Sequence, residues 1–177
     1  MTLSGVRLYI LAVIEHATRR VRVLGATAHP TSAWVSQAVR NLVMDLEDAA
    51  TKARYLIRDR DGKYPSLFDT ILNDTGITAI LTGVRMPRMN AIMERWTRTC
   101  RHERLDRTLV WNQTHLLHVL REFERHFNGH RPHRGISNSR TLTPLPETIT
   151  DPDQLAQLRI RRRDRLGGIL HEYQHAA

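Results

Sequence analysis

The sequence predicts an α/β fold, a mixed sheet flanked by helices, and three observations carry that prediction. Short apolar runs of strand length alternate with stretches whose apolar residues recur at spacings of three and four. Gly, Pro, Asn and Asp, the residues of turns and caps, fall between them. At 177 residues the chain is long enough for one domain with a sizeable core and a tail. Read in order, the elements are strand, strand, helix, strand, helix, strand, helix, helix, and that interleaving puts helices on both faces of a sheet.

Residues 8–14 form a continuous apolar run suited to a strand buried on both faces. A polar turn at residues 15–19 leads to residues 20–24, whose alternation suits an adjacent antiparallel strand nearer an edge. Residues 25–30 close this hairpin, and Thr31 or Ser32 can cap the helix that follows. Val35, Ala38, Val39, Leu42, Val43 and Leu46 give that helix an amphipathic stripe, with Trp34 packed at its first turn. Residues 54–58 are a short strand running directly into Asp59, Arg60, Asp61 and Gly62. Pro65 suits the first turn of a second helix with Leu67, Phe68, Ile71 and Leu72 inward, and residues 73–76 stop it. Residues 77–81 form another strand, residues 83–89 a basic loop and residues 90–103 a helix. After a break at residues 108–111, Asn112 caps a last long helix that buries Leu116, Leu117, Leu120, Phe123 and Phe127 and ends at residues 128–133. A proline-bearing connector covers residues 142–152, and a basic tail follows in which Gly167 and Gly168 suit a hairpin turn. The expected organisation is a core over residues 1–145, then the connector and tail over residues 146–177.

Charge narrows the partners. Lys and Arg total 27 against 18 Asp and Glu, a formal net charge of +9, and Lys occurs only at Lys52 and Lys63. Arg is the residue suited to planar, bidentate contacts with phosphate, so a polyanion is expected, nucleic acid ahead of a membrane surface. A high-GC coding bias also enriches Arg, but it does not account for the net charge. The single cysteine, Cys100, excludes an internal disulfide and a cysteine-based zinc site. No apolar run is long enough to span a bilayer and residues 1–20 do not have the layout of a signal peptide, so a cytosolic location with no membrane partner is expected.

The helix at residues 90–103 places Asn90, Glu94, Arg98 and Arg101 on one face and Ile92, Trp96 and Thr99 on the other. A carboxylate among guanidinium groups is commonly a solvated ion-paired surface. Asp59 opens the alternative. It ends a strand, from which a side chain can project off the carboxyl edge of a sheet, and Glu94 follows 35 positions later on a helix. Two such carboxylates can converge on a hard divalent cation, the kind that serves phosphate chemistry.

With Ile57-Arg-Asp59-Arg-Asp-Gly-Lys-Tyr64, then Asn90-Ala-x-x-Glu94-Arg, Arg101-x-Glu103, His126-Phe-Asn128-x-x-Arg131-Pro-His133 and Pro144, the chain resembles the retroviral-integrase-like catalytic core of bacterial insertion-sequence transposases. The resemblance runs over roughly residues 8–144. It implies a ribonuclease H-like fold and an Asp-Asp-Glu triad holding two Mg2+ or Mn2+ ions, which promote cleavage and strand transfer on double-stranded DNA. It makes Asp59 the second aspartate and Glu94 the glutamate, both catalytic and metal-binding, and Arg101 the basic residue that contacts donor DNA. It further implies a homo-oligomer acting on element ends and target DNA in a bacterial cytoplasm, with no small-molecule substrate.

The pattern departs from the family at the first aspartate, which the resemblance places at or just before Met1; no Asp precedes Asp45. The expectation is therefore a ribonuclease H-like sheet lacking its first strand, an N-terminally truncated core whose catalytic competence stays open. Glu15 is a weaker stand-in for that aspartate, and Asp61 is a less favoured ligand than Asp59. Asn90 can cap the helix, bond Glu94 or contact DNA. His126, His130 and His133 read as a polar helix end rather than a zinc site. Arg85, Arg88, Asn90, Arg95, Arg98, Arg101, Arg131, Arg161, Arg162 and Arg163 are the candidate DNA contacts, against a solvated surface or an unstructured basic tail. The leading function is a transposase core. The alternatives are a non-catalytic DNA-binding remnant or regulator and a general nuclease of the same fold.

Overall fold

The structure, a computed structural model, describes residues 2–142 and 148–175. Strands β1 (Tyr9–Ile14) and β2 (Val21–Thr27) form a hairpin. Helix α1 (Ser32–Asp48) follows, then β3 (Tyr55–Arg58), α2 (Ser66–Asp74) and β4 (Thr78–Leu81). A 3-10 turn at Pro87–Asn90 leads into α3 (Ala91–Glu103), and α4 (Gln113–Gly129) comes after a second 3-10 turn. A short α5 (Pro152–Ala156) precedes the hairpin of β5 (Ile160–Arg165) and β6 (Leu170–His175). The chain divides into two compact units, one of Met1–Val13 and Val23–Leu116, the other of Ile14–Arg22 and Leu117–Ala177.

In the first unit, Thr31 caps α1 by accepting the Trp34 N–H at 3.3 Å. The stripe read from the sequence faces inward. Val35, Val39, Leu42, Val43 and Leu46 pack with Phe68 and Leu72 of α2 and with Ile77. Each such side chain, fully buried, contributes about 1.5–3 kcal/mol. β3 and β4 run parallel with Ile57 beside Ile80, and α2 is the crossover between them. Trp96 and Cys100, one turn apart, form the buried stripe of α3, so Cys100 takes the place expected of Ile92. Burial, ahead of the charges around it, pushes the Cys100 thiol up to about 12, so it packs as a thiol.

In the second unit, α4 buries Val119, Leu120, Phe123 and Phe127. β5 and β6 are antiparallel, with Arg163 opposite Glu172 and Arg165 opposite Leu170. Their turn runs through Leu166, Gly167 and Gly168, all at positive φ, which Gly adopts without strain.

Five further expectations are corrected, the first being Leu67, which the sequence pattern places inward on α2 and which is exposed. The strands pair as three two-stranded sheets rather than as one mixed sheet, because no strand among the described residues bridges the β1–β2 pair to the β3–β4 pair. β1 is half-buried with Ile10 exposed, as fits a strand in a two-stranded sheet. β2 continues through Gly25, which the sequence pattern places outside the strand; a Cβ there would lie 3.0 Å from Trp34, so the glycine admits the indole rather than making a turn. The connector contains α5, whose Asp151 caps it by accepting the Asp153 N–H at 3.0 Å. Pro144 lies outside the described residues. No helix among the described residues is long and apolar enough to cross a membrane.

Candidate functional site

Asp59 is the first residue after β3 and is exposed. Its turn is stitched to the end of β4: the Thr82 N–H donates to the Arg58 carbonyl at 2.9 Å, and Arg60 Nε donates to the Thr82 carbonyl at 2.9 Å. Asp59 Oδ1 accepts the Asp61 N–H at 3.3 Å. Asp61 is occupied differently. The Lys63 ammonium reaches its two oxygens at 3.0 and 2.8 Å, and those bonds hold the Asp61 carboxyl below the ordinary aspartate range. Lys63 Nζ also stands 5.3 Å from the centre of the Tyr9 ring. Tyr64 closes the turn. Burial first, then the charges of Asp59 and Asp61, push its phenol up to about 12.

β3 lies against the 3-10 turn Pro87–Asn90 that delivers the chain into α3. The same loop is tied back where the Gly83 N–H meets Met89 Sδ at 3.2 Å. Glu94 sits in the first turn of α3, where a carboxylate is favoured by the helix dipole. Glu94, Arg95, Arg98 and Arg101 are all exposed, as are Arg85 and Arg88 in the preceding loop. Asn90 stands at the N-cap position, yet its side chain makes no capping bond, so capping does not account for it.

The ending of α4 is a knot of contacts within the second unit. Asn128, buried, spans the main chain of Val21: its Oδ1 accepts the Val21 N–H at 2.9 Å and its Nδ2 donates to the Val21 carbonyl at 2.8 Å. The Phe127 ring packs against the His133 ring, tilted by 57° with 4.6 Å between centroids, and lies beneath the Arg131 guanidinium at 5.7 Å. Burial, then the Arg131 and Arg19 charges, hold the His133 imidazole below its ordinary range despite a Phe127 backbone bond that favours charge. His126 and His130 stack face to face and border Glu172 Oε1 at 3.7 and 3.5 Å. In the tail, Arg161, Arg162 and Arg163 are exposed. Arg162 is held by Asp164 at 3.0 and 3.1 Å, and Asp164 also bonds His171 at 2.7 Å.

Glu15 is committed locally. Burial pulls its carboxyl upward, but bonds from Thr18 and Arg22 and the Arg22 and Arg20 charges outweigh that and leave it below its ordinary value. Asp59 and Glu94 are hard oxygen donors of the kind Mg2+ takes, so donor chemistry fits. Donor number does not reach that of a two-ion site: among the described residues no group of three or more His, Cys, Asp or Glu stands ready to hold a metal. Sequence reasoning missed Arg58, Asp69 and Tyr64 around Asp59. Arg58 Nε and Nη2 donate to Asp69 at 3.0 and 2.7 Å, a pairing that no periodicity signals.

Residues 75–144 match the family model described as the integrase core domain. That segment contains Glu94, Arg101, Asn128, Arg131 and His133, and stops short of Asp59. No curated protein matches the chain. Thirteen chains of solved structures match. One belongs to the cryo-EM structure of the simian T-cell lymphotropic virus intasome in complex with PP2A regulatory subunit B56 gamma. It matches with a TM-score of 0.52 at 14% identity, covering 97% of this chain and 60% of that one. At that identity the likeness is one of fold.

Proposed function

We propose, on the premise that residues 75–144 are an integrase core segment, that this chain acts on double-stranded DNA as a transposase core, for cleavage and strand transfer. The observation that carries the reading is that the matched segment includes α3, which displays Glu94 with Arg95, Arg98 and Arg101 on its exposed surface. Its fold would be ribonuclease H-like, over a core of residues 1–145 followed by a connector and basic tail, and it would work as a homo-oligomer on element ends and target in a bacterial cytoplasm.

Asp59 and Glu94 would hold Mg2+ or Mn2+, whose chemistry in an intact site is to activate the attacking hydroxyl and stabilise the leaving oxygen. The chain's own contribution is binding and placement. Arg85, Arg88, Asn90, Arg95, Arg98 and Arg101 would meet the phosphates near the carboxylates, and Arg131, Arg161, Arg162 and Arg163 would hold DNA through the second unit. Such contacts fix register on the duplex without reading sequence.

A second reading, a DNA-binding remnant or regulator without catalysis, is favoured by one observation: among the described residues no group of three or more His, Cys, Asp or Glu is placed to hold a metal. Incubation with labelled duplex in Mn2+ at low salt separates the two. Nicking or strand transfer that disappears in Asp59→Ala and in Glu94→Ala supports the transposase core. Cleavage that persists in both variants sinks the carboxylate assignment. Salt-sensitive binding without cleavage supports the remnant, and absence of binding overturns both.

A further inference from the structure

We propose that Arg58 and Asp69 are positioning residues: they fix the backbone of Asp59 and so aim its carboxylate at the divalent cation, an inference that rests on the reading of Asp59 as a metal-binding carboxylate.

The geometry is specific. The Arg58 guanidinium uses all three of its nitrogens. Nε donates to Asp69 Oδ1 at 3.0 Å and Nη2 to Asp69 Oδ2 at 2.7 Å, a two-pronged pairing. Nη1 donates to the Asp59 carbonyl at 3.1 Å. The Arg58 Cζ stands 5.0 Å from the centre of the Tyr64 ring, which is itself braced edge-on by Phe68 at 5.0 Å. The Arg58 side chain is 11% exposed. The bonds from Asp69 raise its pKa, as expected of a guanidinium fixed by a carboxylate.

A forked pair cannot rotate without breaking both bonds, so the direction of the third donor is fixed. That donor holds the peptide plane after Asp59. The plane before Asp59 is held separately, where the Arg58 carbonyl accepts the Thr82 N–H at 2.9 Å. With a hydrogen bond on the peptide at either side, φ and ψ of Asp59 are restrained, and with them the direction of its Cα–Cβ bond. Only the side-chain torsions remain, and the Asp61 N–H restrains those through Oδ1.

The test uses the full chain, isotopically labelled, titrated with Mn2+ while the amide signals of residues 59–62 are followed by NMR. In the wild type those signals broaden selectively at low Mn2+, and Asp59→Asn removes the effect. Asp69→Asn and Arg58→Lys keep dispersed spectra and weaken the apparent Mn2+ affinity at Asp59 by about tenfold, the loss usual for partners that orient a metal ligand. Lys retains the charge but not the fork, so an equal loss in Arg58→Lys assigns the effect to geometry. Wild-type Mn2+ affinity in folded Asp69→Asn overturns the positioning role and leaves Asp59 as a ligand. Absence of selective broadening in the wild type overturns the metal reading of Asp59 and the positioning role with it.

Discussion

Asn128 shows what one residue of a recognisable motif does physically. A side-chain amide carries one acceptor and two donors, and here it meets both the N–H and the C=O of Val21, as a neighbouring strand would. The Asn128 main-chain carbonyl accepts the Leu142 N–H at 3.0 Å. Asn128 is 4% exposed and Val21 is 0% exposed, so neither bond has water to replace it. Asn128→Ala is expected to cost about 2 kcal/mol and Asn128→Asp about 3 kcal/mol at neutral pH, read from urea midpoints, because the aspartate keeps the acceptor but sets a buried charge against the Val21 carbonyl. Burial and that carbonyl raise the folded-state pKa of the new carboxyl above its unfolded value. The protonated form, which regains a donor, is therefore the stable one, and the gap between Asp and Asn should narrow as pH falls through that raised value. An Asp variant as stable as the Ala variant at every pH counts against the clamp. The sequence displays this asparagine within its motif, yet not its role: the partner is the backbone of a residue 107 positions away, which no side-chain pattern encodes.

At the scale of elements, what is legible follows from which forces are local. α1 announces itself because the cap at Thr31 and an apolar stripe of helical period both lie within one short stretch. Replacing Thr31 with Ala leaves the Trp34 N–H without its side-chain acceptor and should lower stability by about 1 kcal/mol, seen as a shift in the thermal midpoint; an unchanged midpoint would show that the 3.3 Å bond contributes nothing. Asn112, accepting the His115 N–H at 2.8 Å, marks α4 in the same local way. Other features hide because a distant element decides them. Gly25 reads as a turn residue in isolation, and only the Trp34 indole over it explains a glycine inside β2. The sheet expected from alternating elements resolves into separate pairs, since periodicity reports that a segment is extended and says nothing of its neighbour. α5 is legible in principle: Asp151 before Pro152 is a helix start, hidden among prolines that equally suit an extended connector.

For the molecule as a whole, the charge that points to a nucleic-acid partner has a distribution that decides which arginines are available. The net charge is +9, but charge in a tight pair is not free to meet phosphate. On α3, Arg95, Arg98 and Arg101 are exposed. On β5, Arg162 is forked onto Asp164, whose carboxyl is held below its usual range first by the bond to His171 and then by Arg162. A phosphate reaching Arg162 must displace a carboxylate already there. Counterion release makes log K for DNA binding fall linearly with log salt concentration, with a slope of about −0.9 for each phosphate neutralised. Changing Arg95, Arg98 and Arg101 together to Gln should make the slope shallower by up to about 2.7, an increment of about 0.9 for each phosphate that is no longer neutralised. Arg162→Gln should change it less than Arg161→Gln or Arg163→Gln. Asp164→Asn should tighten binding and steepen the slope, because it releases a guanidinium without adding one. Fluorescence-anisotropy titrations of a labelled duplex across a salt series measure all of these. Equal slopes for wild type and the α3 variant would show that the exposed arginines beside Glu94 are solvated surface, and Asp164→Asn binding no tighter than wild type would show that Arg162 faces no phosphate at all.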